Sequence, residues 1–228
     1  DLMEEFPEVF ENEYSKFKLL AAKTGPVGIL GSYNEIKVAD DLKGLSIRTL
    51  AGPLNDALQA WGASPVSMSP ADLYLSMEKG VIDGYLFDIS GVNTWNLYDV
   101  SPYILDAKFF NNPIMYFMNK DMWDSLSAED QEILDSFCGF EGSMRLAKSM
   151  NDEGVDAIKK TQDMGNVYSV ASEEQLLTFK PVADQVTQKW IQDKTTSDVD
   201  AQAMVDFLKE RAEYYSKLET ETQEKLKH

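Results

Sequence analysis

Residues 45–84 alternate short apolar segments with helical ones, and this alternation restricts the fold more than any other feature of the 228-residue chain. Leu45 to Leu50 alternates with a period of two, the pattern of a half-buried strand. The segments that follow are predicted as helix, strand, helix and strand, at Gly52-Pro53 onward, Pro65 to Met68, Ser69-Pro70 onward and Val81 to Gly84. This order predicts a βαβαβ unit and therefore an α/β fold with a mostly parallel sheet.

The rest of the chain adds strands in its first half and mainly helices in its second. Further extended segments are predicted at Lys16 to Ala22, Val27 to Leu30, Ser101 to Phe110 and Pro113 to Met118. Helices are predicted near the start, with the apolar stripe of Leu2 to Phe10, and then from Ser127 to about Met164, from Ser172 and from Ser197. The long helical stretch from Ser127 has one apolar face, formed by Ile133, Phe137, Phe140 and Met144.

Acidic residues outnumber basic ones, with 39 Asp and Glu against 21 Lys and Arg, which gives a net charge of −18. Such a surface repels phosphate backbones and anionic lipids, so we expect no nucleic-acid partner and no binding to membrane surfaces. It does not exclude a small anionic ligand, because a few buried donors outweigh a diffuse field that salt screens. No apolar run in the sequence approaches the ~20 residues that a membrane-spanning helix needs.

Residues that commonly carry catalysis are scarce. The only histidine is His228, the last residue, which excludes Ser-His-Asp and Cys-His nucleophilic sites and any histidine-based metal site. The sequence contains no glycine-rich phosphate loop of the P-loop or dinucleotide type. Acid–base pairs remain open among the 39 carboxylates, yet none stands out. We therefore expect a binding protein without cofactor or metal, not an enzyme.

Candidate ligand contacts lie where predicted strands end, because open α/β sheets bind ligands at the carboxyl ends of their strands. Arg48 is near the end of one predicted strand, and Tyr85, Phe87 and Asp88 follow another. Arg48 is either a half-buried anion-binding residue or a surface arginine paired with one of the many acids. Phe87 either contacts a ligand or packs in the core.

A series of short blocks runs through most of the chain in a fixed order. The blocks are Asp41 to Arg48, Gly62 to Met68, Asp72 to Tyr74, Gly80 to Gly84, Leu97 to Val100 with Tyr103, and Asn119 to Trp123 with Leu126 and Gln131. In sequence and spacing they resemble the solute-binding proteins of TRAP (tripartite ATP-independent periplasmic) transporters, the DctP-like family. No single block is specific, but their combination is.

The resemblance implies two α/β lobes of the periplasmic-binding-protein type (class II-like), with mixed sheets flanked by helices. Crossing strands and a long helix that spans the lobes form the hinge. We expect residues 1–25 to be the remainder of lobe I and residues 26–110 to form the βαβ region of lobe II. Residues 111–150 then return to lobe I with the spanning helix, and residues 151–228 supply C-terminal helices that pack on lobe II and the hinge. Compared with the family the chain begins late, so we expect the opening elements of lobe I to be missing from it.

By resemblance, Arg48 matches the arginine with which the family grips a ligand carboxylate, and Phe87 falls near a position that is commonly a polar ligand contact. A second arginine of some members has no counterpart in Gly28 to Asn34, and Thr49-Leu50 replace a proline that often follows the family arginine. These departures favour a rather apolar monocarboxylate over a sugar acid or a dicarboxylate. The predicted ligand-binding set is completed by Tyr33, Tyr85, Asp88 and Asn112.

The resemblance also implies a function. It describes a periplasmic receptor, monomeric or dimeric, that captures a small organic acid and delivers it to the permease subunits of a TRAP transporter. Two alternatives remain: an α/β enzyme that uses carboxylates alone, and a subunit that presents the bound ligand to a sensing receptor. A pair of buried acids in the cleft would favour the enzyme.

Overall fold

The computed structural model describes residues 1–50 and 52–226, except for the side chains of Asn12 and of residues 219–226. His228, on which the exclusion of histidine chemistry rests, is outside the described residues. The chain divides into two compact units. One is Lys18–Val186, and the other joins Asp1–Phe17 to the described part of Thr187–His228.

Helices and strands are numbered along the chain. The helices are α1 Leu2–Glu5, α2 Pro7–Tyr14, α3 Pro53–Ala60, α4 Pro70–Glu78, α5 Ile89–Thr94, α6 Lys120–Asp124, α7 Ala128–Phe137, α8 Gly139–Asp163, α9 Glu173–Lys194 and α10 Ala201–Leu226. The strands are β1 Phe17–Thr24, β2 Gly28–Ser32, β3 Ser46–Thr49, β4 Ser64–Ser67, β5 Gly84–Asp88, β6 Tyr103–Asp106, β7 Pro113–Asn119 and β8 Val167–Val170. Short 3-10 turns occur at Ala39–Leu42 and Leu97–Asp99.

A six-stranded mixed sheet in the order β4-β3-β5-β2-β6-β8 organises the larger unit. β3 is parallel to both β4 and β5, as the predicted βαβαβ unit requires, and β6 is parallel to β8. β2 lies between β5 and β6 and is antiparallel to both. The crossover helices begin where the sequence predicts, because Pro53 and Pro70 occupy first turns and the Ser69 hydroxyl accepts a hydrogen bond from Ala71 N–H.

Each face of this sheet is covered by its own apolar core, because alternate residues of a strand point to opposite faces. Leu30, Leu86 and Leu105 belong to the core that α3 and α9 cover. Ile29, Tyr85 and Ile104 belong to the core that α4, α5 and α8 cover. The strand ends are therefore held in a layer that is packed from both sides.

A second sheet pairs β1 with β7, and two chain segments connect it to the six-stranded sheet. These segments bond to each other through the backbone: Gly25 N–H donates to the Asn112 carbonyl at 2.9 Å, and Gly28 N–H donates to the Phe110 carbonyl at 3.2 Å. A Cβ atom at Gly28 would lie 2.6 Å from the Phe110 ring, so glycine permits this close approach. This paired crossing is the candidate for the predicted hinge.

Helix α8 contacts both sheets. Near its start the Ser143 hydroxyl accepts a hydrogen bond from Ala22 N–H of β1 at 3.1 Å. Further along, Gly154 lies close to Pro26 and Ile89, and Ala157 is part of the core under α5. This is the position that the expected spanning helix would take.

The predicted helix from Ser127 to about Met164 is not continuous. It divides into α7 and α8 at Cys138, whose backbone is extended, and Gly139, whose φ is +64°. Glycine adopts that left-handed conformation without the steric penalty that other residues meet. The apolar side chains predicted for one face are exposed, with Phe137 and Phe140 at 64% and 75% of full exposure.

Three other predicted boundaries are wrong. Val81 to Gly84 is not a strand, because the Val81 and Ile82 N–H groups bond to the Ser76 carbonyl at the end of α4 and β5 starts only at Gly84. Pro7 lacks an N–H and separates α1 from α2 within the predicted first helix. Within the predicted extended segment Ser101 to Phe110, only β6 is a strand.

The smaller unit consists of α1, α2 and α10 with the end of α9. Phe6 and Phe207 meet edge to face with 5.7 Å between ring centroids, and the Asp1 carboxylate accepts hydrogen bonds from Arg211 and Tyr215 at 2.8 Å each. Among the described residues, none of the helices combines the length and the hydropathy needed to cross a membrane.

Candidate functional site

A cavity of about 440 Å³ lies at the carboxyl ends of the parallel strands β3 and β5, and we call it the strand-end cavity. Its walls are formed by these strand ends, the start of α3 and the segment before β7: Thr49, Leu50, Pro53, Leu54, Leu86, Phe87, Asp88, Phe109, Phe110, Asn111, Asn112 and Pro113. Its volume is within the range of small-molecule sites, and its place in the sheet is where α/β folds bind ligands.

Arg48 is fully buried directly behind this cavity, between Thr49, which lines it, and the ring of Phe87, which also lines it. The guanidinium carbon lies 5.0 Å from the centroid of the Phe87 ring. Nε–H and Nη2–H both donate to the Met68 carbonyl, and Nη1–H donates to the Leu86 carbonyl, each at 3.2 Å. Arg48 itself is not among the residues that line the cavity.

The Arg48 guanidinium retains unused donors. It has five N–H groups, and three of them are taken by the carbonyls of Met68 and Leu86, so one N–H on each of Nη1 and Nη2 has no partner among the described residues. No described carboxylate forms an ion pair with it. Each of these nitrogens already meets one carbonyl, so the two remaining N–H groups are spare hydrogen-bonding capacity that a carboxylate can take up.

Burial lowers the pKa of the Arg48 guanidinium from its ordinary value, and the nearby charge of Asp88 partly opposes that shift. The cause is desolvation, which disfavours the charged form of a base. An arginine keeps its charge at neutral pH even so, because its ordinary pKa is far above 7. The site therefore holds a desolvated positive charge, and an anion would be its natural counterpart.

Phe87 is positioned by a glycine of the next helix. Its ring packs on Gly91 of α5 so closely that a Cβ atom at that position would lie 1.7 Å from a ring carbon. On its other side the ring meets the Arg48 guanidinium, a cation–π contact. Phe87 thus contacts Arg48 and also lines the strand-end cavity, and its position depends on Gly91.

Asp88 and Asn112 line the strand-end cavity as well. The Asp88 carboxylate caps α5 and accepts hydrogen bonds from Gly91 N–H at 3.1 Å and from the Ser90 hydroxyl. These bonds cap the start of α5, and they occupy one oxygen of the Asp88 carboxylate. The side-chain amide of Asn112 makes no hydrogen bond to the described residues and is free to meet a ligand.

The two tyrosines of the predicted set lie elsewhere. Tyr85 is fully buried in the core under α4 and α5, with its hydroxyl 2.7 Å from Ser101 Oγ. Tyr33 follows β2 at the opposite end of the sheet from Phe87, and its hydroxyl donates to the Met77 carbonyl. Neither lines the strand-end cavity. The structure therefore brings together Arg48, Phe87, Asp88 and Asn112, and it places Tyr33 and Tyr85 apart from them.

Several residues of the cavity are absent from the predicted set. Leu50 and Leu54 flank the start of α3, and Phe109 and Phe110 come from the segment before β7. The sequence could have indicated Thr49 and Leu50 as cavity residues, since they directly follow Arg48 at a strand end. The sequence could not have indicated Phe109 and Phe110, because their place at the cavity depends on how the segment before β7 crosses β2.

The strand-end cavity lacks the pair of acidic residues that an enzyme using carboxylates alone would need. Asp88 is the one acidic residue among the described residues that line it, so the paired acids of such an enzyme are missing there. In the part of the chain that the structure describes, no three His, Cys, Asp or Glu side chains are grouped so that they could hold a metal ion.

Comparison with known sequences gives a consistent set of matches. The profile of the family described as bacterial extracellular solute-binding protein, family 7 (DctP) matches residues 7–193. The ectoine-binding periplasmic protein TeaA of Halomonas elongata is 28% identical over 192 residues, which cover 81% of this chain and 55% of that protein. The 2,3-diketo-L-gulonate-binding periplasmic protein YiaO of Escherichia coli is 28% identical over 141 residues, covering 57% of this chain and 43% of that protein.

Solved structures give the same picture. A TRAP solute-binding protein from Rhodoferax ferrireducens in complex with copurified benzoate matches with a TM-score of 0.86 at 21% identity, covering 95% of this chain and 68% of that one. An extracytoplasmic solute receptor of Bordetella pertussis that binds pyroglutamic acid matches with a TM-score of 0.80 at 22% identity, covering 90% and 67%. These likenesses confirm the predicted α/β fold of the two-lobed solute-binding type. The chain spans only 55% of the length of TeaA.

Proposed function

The chain belongs to family 7 of the bacterial extracellular solute-binding proteins, and on that premise we propose that it captures a small organic acid in the periplasm for delivery to the permease of a TRAP transporter. Arg48 holds the carboxylate of the ligand, and the strand-end cavity holds its body. Family 7 consists of binding proteins, so the expectation that the chain is not an enzyme is confirmed.

One observation carries the carboxylate assignment. The buried Arg48 guanidinium has two N–H groups without partners, beside a cavity at the carboxyl edge of the sheet. A carboxylate accepts two N–H groups from one guanidinium in a planar arrangement, and each charge-assisted bond contributes about 1.5–3 kcal/mol. Arg48 does not itself line the cavity, so the carboxylate reaches it when neighbouring side chains such as Phe87 turn aside.

The walls of the cavity favour an apolar body on the ligand. Leu50, Leu54, Phe109 and Phe110 provide hydrophobic surface, whereas Asn112 is a polar side chain with free hydrogen-bonding capacity. A sugar acid would bring several hydroxyl groups that these walls could not satisfy, and unsatisfied buried hydroxyls weaken binding. The expected ligand is therefore an aromatic or branched aliphatic monocarboxylate.

Binding at this cavity also reaches the paired crossing between the two sheets. Phe110 and Asn112 line the cavity, and their backbone carbonyls accept the bonds from Gly28 and Gly25 that make the crossing. A ligand that contacts these residues therefore acts on the segment where the chain would bend. Such a ligand stabilises a closed state only to the extent that it binds the closed state more tightly than the open state.

The test measures the affinity of the full 228-residue chain for benzoate and for benzamide by titration calorimetry. Benzamide has the same shape but no charge. We expect the chain to bind benzoate at least about tenfold more tightly than benzamide, and Arg48→Met to remove that preference. Arg48→Lys should keep part of it, since an ammonium keeps the charge but cannot form the two-pronged contact.

The matched control is Arg145→Lys, which changes an exposed arginine of the same unit and should leave benzoate affinity unchanged. Native mass spectrometry of the purified chain then identifies any ligand that copurifies. Equal affinity for benzoate and benzamide in the unaltered chain, or a preference that survives Arg48→Met, would refute the carboxylate assignment.

A further inference from the structure

A second cavity, of about 470 Å³, lies between α9 and the segment that follows β6, and we call it the helix-side cavity. We propose that it binds a second small molecule, an amphipathic anion with an aromatic or aliphatic body, in addition to the ligand of the strand-end cavity, with which it shares Phe109. The proposal goes beyond the transport function and does not depend on it.

The floor of this cavity is an aromatic cluster of Trp61, Phe109 and Phe179. The three rings contact one another edge to face, with centroid distances of 5.9 Å, 5.4 Å and 5.2 Å for Trp61–Phe109, Trp61–Phe179 and Phe109–Phe179. Mutual contact holds all three rings in place, so the cavity has a preformed apolar surface. On α9, Leu177 adds a side chain that is 65% exposed although it is large and apolar.

Trp61 gives this surface an unused hydrogen-bond donor. The residue is only 7% exposed, yet its indole N–H is buried without any hydrogen-bond partner. An indole N–H that is removed from water normally finds a partner, and leaving it unpaired costs about 1–3 kcal/mol. Neighbouring atoms cover this N–H in the structure, so a bound molecule reaches it only when the aromatic cluster shifts, and an acceptor atom of that molecule then supplies the missing partner.

The charges around the cavity favour an anion. Lys180 is paired with Asp184 one helical turn away, and Glu173 lies in the first turn of α9, where the helix end favours a negative charge. Lys108 forms no ion pair with any described carboxylate. Its backbone is held at φ +50°, and its N–H donates to the Asp106 carboxylate at 3.2 Å. A non-glycine residue held at positive φ is often found at ligand sites, and Lys108 lines this cavity together with the aromatic cluster.

The experiment uses 2-naphthoate as the probe and the Arg48→Ala chain as the background, so that binding at the strand-end cavity is suppressed. Binding is followed by saturation-transfer NMR and by titration calorimetry. In that background, Leu177→Glu introduces a negative charge into the apolar wall and should weaken 2-naphthoate binding at least about tenfold. Lys108→Gln should weaken it about threefold and reduce its dependence on salt.

Matched controls come from helix α4 and the residue that follows it, which do not border this cavity. Leu75→Glu changes a leucine that is 52% exposed, and Lys79→Gln changes an exposed lysine, so neither should alter the affinity. The proposal is overturned if the Arg48→Ala chain does not bind 2-naphthoate, or if Leu177→Glu binds it as well as Leu75→Glu does. Failure of the transport proposal would appear separately, as equal affinity of the unaltered chain for benzoate and benzamide.

Discussion

If position 48 had only a structural role, an uncharged residue there would cost less free energy than Arg48 does. A buried charge without a charged partner is unfavourable, and the cost of burying it offsets part of what the hydrogen bonds of Arg48 contribute to stability. Its contacts are hydrogen bonds to the carbonyls of Met68 and Leu86 and the face of the Phe87 ring. This arrangement leads to a prediction about the unliganded protein.

We expect Arg48→Met to change the free energy of unfolding of the unliganded chain by less than about 2 kcal/mol, measured by urea titration. The same substitution should abolish the rise in melting temperature that benzoate produces, because that rise reflects binding to the folded state. A loss of more than about 3 kcal/mol without ligand would instead identify Arg48 as a structural residue.

Tyr85 gives a prediction about pH. Burial raises the pKa of its hydroxyl above the ordinary value, and the hydrogen bond with Ser101 only partly opposes this. As the pH rises, the Tyr85 hydroxyl therefore ionises in the unfolded chain before it ionises in the folded chain. Its contribution to the free energy of unfolding is fully present below about pH 10 and is lost as the pH rises beyond that value. The free energy of unfolding should fall between about pH 9 and pH 11 in both proteins. In Tyr85→Phe this fall should be smaller by about 1 kcal/mol than in the unaltered chain.

The control for this measurement is Tyr116→Phe, which changes an exposed tyrosine whose ring contact with Lys23 does not need the hydroxyl. It should show the same pH dependence as the unaltered chain. An equal effect of both substitutions would mean that burial of Tyr85 does not govern the alkaline loss of stability.

At the scale of elements, the break between α7 and α8 depends on Gly139. Its φ of +64° is open to glycine and, at moderate cost, to asparagine, whereas alanine meets a steric penalty of about 1–2 kcal/mol. We therefore expect urea titration to show Gly139→Ala destabilised by about 1 kcal/mol and Gly139→Asn by clearly less. Equal stability of the two variants would show that this turn is not held in the left-handed conformation.

The packing of α5 on β5 gives a prediction about binding. A methyl group at Gly91 would collide with the Phe87 ring and push it away from its contact with Arg48 and from the wall of the strand-end cavity. We expect Gly91→Ala to change benzoate affinity by at least about fivefold in calorimetry, although residue 91 does not line the cavity. Thr94→Ala, on the exposed end of the same helix, is the control and should leave the affinity unchanged.

The sequence predicts the central elements because their signals are local. Pro53 and Pro70 start helices α3 and α4, and the alternating residues around Ile47 form strand β3, which precedes both helices. The predicted strand at Val81 to Gly84 was wrong because Val81 is β-branched and apolar but 60% exposed, and its backbone closes a helix instead. The break at Gly139 could not be predicted, since an isolated glycine in a helical pattern does not reveal the sign of φ.

The candidate site was predictable only in part. Arg48 and Phe87 follow from the rule that ligands bind at strand ends, and the structure places them in contact. Tyr85 sits on the same face of β5 as Phe87, but further from the strand end, where the core closes over it. Tyr33 is at the other end of the sheet because β2 is antiparallel, and neighbouring residues in the sequence do not show that direction.

For the whole molecule, the net charge of −18 leads to a kinetic prediction. A negative surface repels an approaching carboxylate, and salt screens that repulsion over about 10 Å at 0.1 M. The association rate constant of benzoate, followed by stopped-flow tryptophan fluorescence, should rise about twofold between low salt and about 0.15 M salt. Benzamide, which is uncharged, is the control, and a rate for benzoate that falls with salt would contradict the prediction.

The inner position of β2 has a consequence for biosynthesis. β2 precedes both strands that flank it, β5 and β6, by long stretches of chain. Until they have been synthesised, two rows of backbone donors and acceptors on β2 stay open to mispairing and aggregation. Such distant pairing also slows folding, because long loops must close before the contacts form. The six-stranded sheet can therefore close around β2 only after β6 has been synthesised.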